Sequence, residues 1–599
     1  MDKPVDRPVD RPSPVRWSND GLPASTLYGD VYFSSDDGLA ETRTVFLAGC
    51  GLPQAWAGRS RFTVAELGFG AGLNIAALLH LWNQTRPPGA RLQIFSLEAH
   101  PLTRSDAARA LGRWPELGSA AEALLEAWPG DARGWTRIDL PAFSATLDLA
   151  IMEAEAALTG WSGKADAWFL DGFAPAANPA MWSESVLTLV GQHSASGARA
   201  ATFTVAGGVR RGLETAGFAV SKQPGFGRKR QRLEAVWPGS PADPDPGSRT
   251  VAVIGAGIAG ASMARALRQQ GASVQVFDPK GPAAAASGNA AALMTPRLDA
   301  GENPAGRLHA QAFRRAVQLY DQVEEAVISR GARQQATSPR DQTRFERIVA
   351  GGLFDSGSLE IQLDGLLLHQ ALVVDPQALI PVWTGPVDRR AVVALQPEST
   401  GDWTILGRAG EHLARVNAVV LCAGLETMAL APAPEMAPLR SVRGQISRAI
   451  GVESPMATAF GGYVIPTRDG LLFGATHQRD RTDEEPVPED DRANLLQLAE
   501  GMPRLAASLA ALPLEGRAGV RSATPDHLPL AGPLAGQAGL HALAGFGGRG
   551  FTLAPLLAEH LAAVILGLAS PLPGDLARAV HPGRFAERAA RRASKRPSS

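Results

Sequence analysis

The stretch Val251-Ala-Val-Ile-Gly255-Ala-Gly257-Ile-Ala-Gly260 decides the fold of the second half of the chain. Its four apolar residues predict a buried parallel strand, and the glycines that follow have the spacing G-x-G-x-x-G. In this motif the first glycine permits a tight turn, the second lets a pyrophosphate approach the backbone, and the third lets the next helix pack against the strand. A second predicted strand, Ser273 to Phe277, ends in Asp278, whose carboxylate is placed to bind ribose hydroxyls. The complete unit predicts a bound dinucleotide rather than an ordinary βαβ turn.

The position of this motif predicts two domains. Such a motif usually opens its domain, yet 250 residues precede it, and a chain of 599 residues is too long for one core. The run of Pro, Asp, Gly and Ser after Trp237 cannot form a helix or a strand, so it marks the boundary. The predicted organisation is a disordered tail over 1–16, a first domain over 17–240, a linker over 241–249, a second domain over 250–580 and a basic, disordered tail over 581–599.

Composition restricts the class of protein. The formal charge of −1 argues against bulk electrostatic binding of nucleic acid, although it leaves room for a local basic patch. The two cysteines, Cys50 and Cys422, are far apart and lack metal-type spacing, so we expect no disulfide scaffold, no metal and a reducing compartment. The sequence shows no signal segment and no apolar run that could span a bilayer, so the expected location is cytoplasmic.

The first domain has its own glycine-rich loop, which begins at Glu66 after a predicted strand and ends where a helix begins. The spacing G-x-G-x-G after an acid is typical of S-adenosylmethionine (SAM) methyltransferases, in which the backbone approaches the methionine and ribose parts of SAM. Glu98 ends the next strand and is placed to bind the ribose. Glu153 ends a third strand, and it either lies beside the adenine or is a solvated acid at a helix start. The predicted SAM ligands are Glu66, Gly68, Gly70, Gly72, Asn74, Glu98 and Glu153; the alternative is a nucleotide-free turn.

A further acid, Asp171, follows the buried strand Trp168 to Leu170. In an open α/β sheet, ligands bind at the carboxyl ends of the strands. The turn after Asp171 is rich in Gly, Pro and Asn, so the carboxylate is predicted to be exposed. There it can receive a proton from an amine nucleophile; the alternative is a helix N-cap.

A basic cluster lies between residues 209 and 232, with seven basic residues and a single acid, Glu214. In a chain that is neutral overall, such a cluster indicates phosphate contacts, and the alternative is a solvated face. The RNA-binding candidates are Arg210, Arg211, Arg228, Lys229 and Arg230.

Several segments of the second domain also predict site residues. Small residues at 283–289 suit a loop against the flavin-side pyrophosphate. The glycines of Gly545 to Phe551 precede an apolar helix, so their N–H groups face a bound ring. Arg443 and Tyr463 fall in a strand-rich region. The cofactor ligands predicted for this domain are Gly255, Gly257, Gly260, Asp278, Ser287, Gly288, Asn289, Gly424, Gly547, Gly548 and Gly550.

Taken together, the motifs resemble those of a known family. They are ELGFGAGLN (66–74), DAWFLDGFAPAANPAMW (166–182), VAVIGAGIAG (251–260), ASGN (286–289), VRGQ (442–445), RSATPDHLP (521–529) and GFGGRGF (545–551). In this order they resemble the bifunctional tRNA 5-methylaminomethyl-2-thiouridine biosynthesis proteins over roughly residues 28–575. The resemblance implies an α/β protein with a Rossmann-like class I SAM methyltransferase domain. It also implies an FAD-binding Rossmann domain of the D-amino-acid-oxidase type with an inserted α+β substrate subdomain.

The resemblance also implies a two-step reaction on the wobble uridine of tRNA, with FAD and SAM as cofactors and no membrane or obligate protein partner. The FAD domain removes the carboxymethyl part of a 5-carboxymethylaminomethyl group as glyoxylate, and the SAM domain methylates the resulting amine. Arg549 or Arg443 is expected to bind the substrate carboxylate, and Asp171 is expected to take the ammonium proton. Two alternatives are an enzyme for a free small secondary amine and a non-catalytic RNA-binding or redox-sensing protein.

Overall fold

The computed structural model describes residues 14–240 and 249–594. These residues form two compact units, one built mainly from the chain before the gap and the other mainly from the chain after it. None of the helices in the described ranges has the length and apolar character needed to cross a bilayer.

The first unit is an eight-stranded sheet covered by helices. Five central strands are parallel, and antiparallel strands complete both edges. In spatial order the strands are Gly134–Leu140, Ala145–Ile151, Arg91–Leu97, Arg61–Leu67, Ala165–Leu170, Ser194–Thr202, Gln231–Val236 and Ala219–Pro224. The helices are Gly38–Thr42, Leu73–Thr85, Arg104–Leu111, Gly118–Glu126, Ala154–Gly160, Glu184–Gln192 and Gly207–Ala216.

The second unit contains a six-stranded sheet that carries the G-x-G-x-x-G turn. All of its neighbouring strands are parallel except the last pair. Its strands, in spatial order, are Val387–Asp388, Ser273–Phe277, Thr250–Ile254, Ala418–Leu421, Leu540–Ala544 and Leu530–Pro533. The apolar run of Thr250–Ile254 is almost completely buried, as expected of a central parallel strand.

A ten-stranded, mainly antiparallel sheet forms the other half of this unit. Its strands are Ala292–Met294, Val327–Gln335, Leu359–Gln362, Gly365–Val374, Arg440–Ile450, Thr458–Ala459, Tyr463–Thr467, Gly470–Gly474, Gln478–Arg479 and Glu515–Ala523. A three-stranded sheet consists of Val392–Pro397, Trp403–Gly407 and His412–Val416. The helices are Ile258–Gln269, Pro304–Tyr320, Pro339–Ala350, Pro376–Thr384, Thr427–Leu430, Pro488–Gly501, Pro503–Leu509, Gly550–Leu566, Gly574–Val580 and Arg584–Ser594.

The structure corrects the predicted tails in part. Residues 14–16 are ordered, because strand Val15–Trp17 pairs antiparallel with Pro23–Ser25; residues 1–13 lie outside the described ranges. The predicted disorder beyond residue 581 is also wrong as far as residue 594. The helix Arg584–Ser594 forms there, and Arg584 is 3% exposed with its guanidinium on the carboxylate of Asp526. An ion pair of the buried Arg584 with the partly exposed Asp526 therefore holds a segment whose composition alone suggested disorder. Residues 595–599 and 241–248 of the linker lie outside the described ranges.

Candidate active sites

The glycine-rich loop of the first unit lies directly on the turn that carries Asp171. A Cβ at Gly68 would lie 3.3 Å from the Cα of Gly172, so the close approach of the two loops depends on this glycine. The N–H of Gly70 donates to Oε2 of Glu98 at 3.0 Å, and Oε1 of Glu98 accepts from the N–H of His100 at 2.9 Å. Burial raises the pKa of Glu98. The loop, Glu98 and the turn therefore share one edge of the sheet.

Asp171 is held by the residue that ends the glycine-rich loop. The Nδ2 of Asn74 donates to Oδ2 of Asp171 at 2.7 Å, and the N–H of Gly172 donates to Oδ1 at 2.8 Å. The Oδ1 of Asn74 in turn accepts from the hydroxyl of Thr42 at 2.8 Å. No helix within the described ranges begins at Asp171, since the next one starts at Pro179 with Asn178 as its cap. Asp171 is thus not a helix N-cap.

The surroundings of Asp171 suit a general base. Burial raises its pKa to about 6, against the opposing effect of the hydrogen bonds from Gly172 and Asn74. The side chain is only partly buried and so remains accessible. A base whose pKa lies close to neutral is mostly ionised at pH 7 and still has appreciable affinity for a proton.

Glu66 lies beneath the loop rather than at its surface. It has no exposed surface, its Oε2 accepts from the hydroxyl of Ser96 at 2.6 Å, and burial raises its pKa to about 8. The amide of Asn74 favours the charged forms of both Glu66 and Asp171. Contact of Glu66 with SAM remains a prediction, whereas its position indicates support of the loop from below.

Glu153 is exposed at the start of helix Ala154–Gly160, and its side chain makes no cap hydrogen bond. Its charge and that of Glu98 both act on Tyr28, whose pKa is raised mainly by burial. Glu153 therefore faces the same edge of the sheet as Glu98, and its place beside the adenine remains a prediction.

An aromatic group that sequence reasoning missed surrounds the turn after Asp171. The ring centroid of Phe173 lies 4.9 Å from that of Tyr28 and 5.2 Å from that of Tyr32. The run Tyr28 to Phe33 has the composition of a strand, but it forms only an isolated bridge at Val31. The available signal was the aromatic run of Tyr28, Tyr32 and Phe33, which precedes the glycine-rich loop by more than 30 residues.

The basic cluster is only partly directed to solvent. Arg211 and Arg230 are exposed, Arg210 pairs with Glu214 at 2.7 Å, and Arg228 lies 3.8 Å from Asp36 with 89% of its side chain exposed. Lys229 differs, because its Nζ lies 2.9 Å from Oε1 of Glu41 and 4.0 Å from the ring centroid of Phe203.

The second unit contains a cavity of about 1620 Å³, large enough for a dinucleotide and a further ligand. Nearly all of the predicted cofactor ligands line it, namely Gly255, Gly257, Asp278, Ser287, Asn289, Gly424, Gly547, Gly548 and Gly550. The cradle is built for a close approach, because a Cβ at Gly257 would lie 3.0 Å from the hydroxyl of Ser287.

The acid and the turn at this cavity fit a dinucleotide. Oδ2 of Asp278 accepts from the N–H of Ala256 at 2.8 Å, so the end of the second strand is tied to the glycine turn. The hydroxyl of Ser287 accepts from the N–H of Ile258 at 3.1 Å, at the start of the helix. These groups lie where a helix N-terminus favours phosphate.

Two predicted cofactor ligands do not line the cavity and act on the backbone instead. A Cβ at Gly260 would lie 1.8 Å from the carbonyl oxygen of Gly255, which is the helix–strand packing expected of the third glycine. A Cβ at Gly288 would lie 1.9 Å from the carbonyl oxygen of Ala283. Gly288 is thus required by the turn that presents Ser287 and Asn289.

Arg443 is not a ligand of the substrate carboxylate, which corrects that prediction. It is fully buried and absent from the cavity lining, and its guanidinium binds Asp490, Asp483 and the carbonyl oxygen of Glu485. The reason is the alternation of side chains along strand Arg440–Ile450. Arg443 lies on one face, and Gly444, which lies against Arg521, is on the other.

Arg521 is the cation that the sequence argument overlooked. It lines the cavity together with Arg549 and Tyr463. A Cβ at residue 444 would lie 2.0 Å from its Nη2, so Gly444 leaves space for its guanidinium. Arg549 donates to the hydroxyl of Thr295 at 2.9 Å and remains exposed to the cavity. The available signal was Arg521 itself, at the head of the RSATPDHLP motif.

Comparison with known proteins matches both units. The model of the FAD dependent oxidoreductase family matches residues 250–564, and that of an S-adenosyl-L-methionine-dependent methyltransferase family matches residues 115–238. A relative from Caulobacter sp. (strain K31), the tRNA 5-methylaminomethyl-2-thiouridine biosynthesis bifunctional protein MnmC, is 57% identical over 96% of this chain and 98% of its own. The chain belongs to the MnmC family.

More distant MnmC proteins also match nearly the whole chain. Those of Maricaulis maris and Thiobacillus denitrificans are 43% and 37% identical and match 97% and 95% of this chain, and each is covered over 97% of its own length. Among solved structures, glycine oxidase from Geobacillus kaustophilus is 19% identical and covers 54% of this chain and 96% of its own, with a TM-score of 0.45.

Membership of the MnmC family confirms the predicted α/β fold class and both cofactors. The first unit is a SAM-dependent methyltransferase and the second an FAD-dependent oxidoreductase. The chain is therefore a bifunctional enzyme. The roles of the individual site residues remain predictions.

Proposed function

We propose that this enzyme converts the 5-carboxymethylaminomethyl group of a wobble (2-thio)uridine in tRNA first to 5-aminomethyl and then to 5-methylaminomethyl. The observation that carries the proposal is the presence, in one chain of the MnmC family, of a methyltransferase site with a carboxylate base and an oxidase cavity lined by two arginines. The proposed boundary between the two domains remains that of the sequence, with the linker at 241–249.

In the oxidase unit, the chain binds and orients a secondary amine that carries a carboxylate. Arg521 and Arg549 can receive the carboxylate, since both line the cavity with the residues of the cofactor cradle. Bound FAD would supply a two-electron acceptor for the hydride from the carboxymethyl carbon next to the nitrogen. The two guanidinium groups also lower the affinity of the amine for a proton, and the neutral amine is the form that can lose a hydride. Water then cleaves the resulting imine to a primary amine and glyoxylate.

In the methyltransferase unit, Asp171 prepares the primary amine. An amine of this type is mostly ammonium at neutral pH, because amine pKa values lie near 10, and an ammonium has no lone pair for the SAM methyl. Asp171 accepts the proton while Asn74 and Gly172 hold its carboxylate in place. The nitrogen then takes the methyl group, and the sulfonium leaves as a neutral thioether.

The tRNA surface is proposed to include Arg210, Arg211, Arg228 and Arg230, which lie on one edge of the methyltransferase unit. Since tRNA is the substrate, the proposed location is the cytoplasm, and neither step needs a membrane or a second protein.

Nucleoside mass analysis tests the proposal. Purified enzyme with FAD should convert 5-carboxymethylaminomethyl nucleosides to 5-aminomethyl nucleosides in tRNA from cells that lack the gene, and added SAM should carry them to 5-methylaminomethyl. Unchanged tRNA, together with rapid oxidation of a free amine such as sarcosine, would instead support the small-amine oxidase.

A further inference from the structure

The ammonium of Lys229 lies on a buried carboxylate and an aromatic ring of the methyltransferase unit. Its ammonium lies 2.9 Å from Oε1 of Glu41, whose side chain is only 12% exposed, and 4.0 Å from the ring centroid of Phe203. A buried carboxylate together with an aromatic face is the arrangement by which proteins bind organic ammonium groups.

Two routes, each made of contacts and of residues close in sequence, connect this site with Asp171. On one side, Asp171 accepts from Asn74, and Asn74 accepts from Thr42, the residue next to Glu41. On the other side, Phe203 packs edge-on against Trp182 with centroids 6.5 Å apart. The indole N–H of Trp182 donates to the carbonyl oxygen of Phe173 at 2.9 Å, two residues after Asp171.

The charges at this site also act on Asp171. Glu41 raises the pKa of Asp171 and Lys229 lowers it, although burial remains the largest effect. A cation at the position of the Lys229 ammonium is therefore within electrostatic reach of the proposed base.

Lys229 reaches this site from the protein surface. Its side chain is 46% exposed, and it lies in the tight connection between strands Ala219–Pro224 and Gln231–Val236. Gly227, in the same connection, has a φ of +57°, and a Cβ added at this position would lie 2.7 Å from Oδ2 of Asp36. Glu41 belongs instead to helix Gly38–Thr42, and Phe203 directly follows strand Ser194–Thr202.

We infer that Glu41 and Phe203 form the recognition site for the substrate ammonium and that Lys229 holds this site until the substrate displaces it. The inference rests on the proposed function and adds the residues that select a protonated primary amine over a neutral wobble group. The ammonium of Lys229 therefore occupies the position of the substrate ammonium. Unlike Arg228, Lys229 is not a phosphate ligand.

Paired variants test the role of Lys229. Methylation kinetics are measured with tRNA that carries 5-aminomethyluridine, for Lys229→Met and for the matched control Arg228→Met, which removes the same charge one residue away. Arg228→Met should raise the KM for tRNA and flatten its salt dependence. Lys229→Met should leave the salt dependence unchanged and should not raise KM, because the variant removes a competitor for Glu41. A rise in KM with a flatter salt dependence, as in Arg228→Met, would overturn the inference.

A second pair of variants tests the cation site itself. Phe203→Leu should raise KM for 5-aminomethyl tRNA by about 2- to 30-fold, the range expected for a cation on an aromatic face. Glu41→Gln should also raise this KM, because it removes the carboxylate that pairs with the ammonium. Their affinity for tRNA with an unmodified wobble uridine should not change. Equal losses for both tRNAs would contradict the inference.

SAM affinity and melting temperature show whether each variant is folded, and if Glu41→Gln fails this check, Phe203→Leu decides. A wild-type enzyme that does not methylate 5-aminomethyl tRNA would contradict the proposed function itself, which separates the two failures.

Discussion

Replacing Asp171 by Asn should remove methylation while preserving the fold of the methyltransferase unit. The change keeps the size of the side chain but removes the charge that accepts the ammonium proton. With a pKa of about 6, the native carboxylate is ionised in about ten molecules for every protonated one at pH 7. The wild type therefore operates with nearly its full population of base, and the variant has none.

The expected loss follows from the contribution of general-base catalysis, about 10²- to 10⁴-fold in rate. SAM affinity should change little, because Glu98 and the loop that it binds are untouched. The new amide places an N–H₂ group against one of two donors, the Asn74 amide or the Gly172 N–H, so a moderate loss of stability of about 1–3 kcal/mol is also expected.

The assay is nucleoside mass analysis of tRNA from cells that carry the variant, with the melting temperature and SAM affinity of the purified protein as controls. The oxidase unit should remain active, so 5-aminomethyluridine derivatives should accumulate. Fully methylated tRNA at the wild-type rate would show that Asp171 has a structural role and that another group takes the proton.

Further predictions concern pH, the flavin cradle and the two arginines. The methylation rate should fall about tenfold per pH unit below pH 6, because protonation of Asp171 removes the base, whereas a profile flat to pH 4.5 would contradict the assignment. Gly257→Val should abolish FAD binding, seen as loss of the yellow colour, because even a Cβ comes within 3.0 Å of the Ser287 hydroxyl. Arg521→Met should raise the KM of the oxidase step with little change in melting temperature, and an unchanged KM would leave Arg549 as the carboxylate ligand. Arg443→Met should instead destabilise the fold by about 3–5 kcal/mol, because it leaves the buried Asp490 unpaired; an unchanged melting temperature with a lost oxidase activity would restore Arg443 to the active site.

Local backbone chemistry made much of this protein predictable from its sequence. The segments around Gly255 and Gly68 require turns that few other sequences adopt, and each is followed by a strand that ends in an acid, Asp278 or Glu98. Strand Ser273–Phe277 forms over the predicted residues. These features depend on residues within about thirty positions along the chain, and such short-range requirements can be predicted from a sequence.

The direction of the individual side chains depended on contacts between distant segments. Arg443 and Arg521 are both arginines on strands of the same sheet, yet the alternation of the strand buries the first and turns the second to the cavity. Arg584 lies in a basic stretch that composition assigns to disorder, and the carboxylate of Asp526 orders it across 58 positions.

The sequence by itself thus determined the two Rossmann-type units, their cofactors and the acids at the strand ends. The tertiary structure decided which charges face a ligand. Lys229 shows the reason, because its neighbours in sequence, Arg228 and Arg230, suggest an RNA surface. Its own ammonium instead meets Glu41 from a helix 188 positions earlier and the ring of Phe203. A charge is paired or free according to what folding brings beside it, and that partner is set by the packing of the whole sheet and its helices rather than by the local sequence.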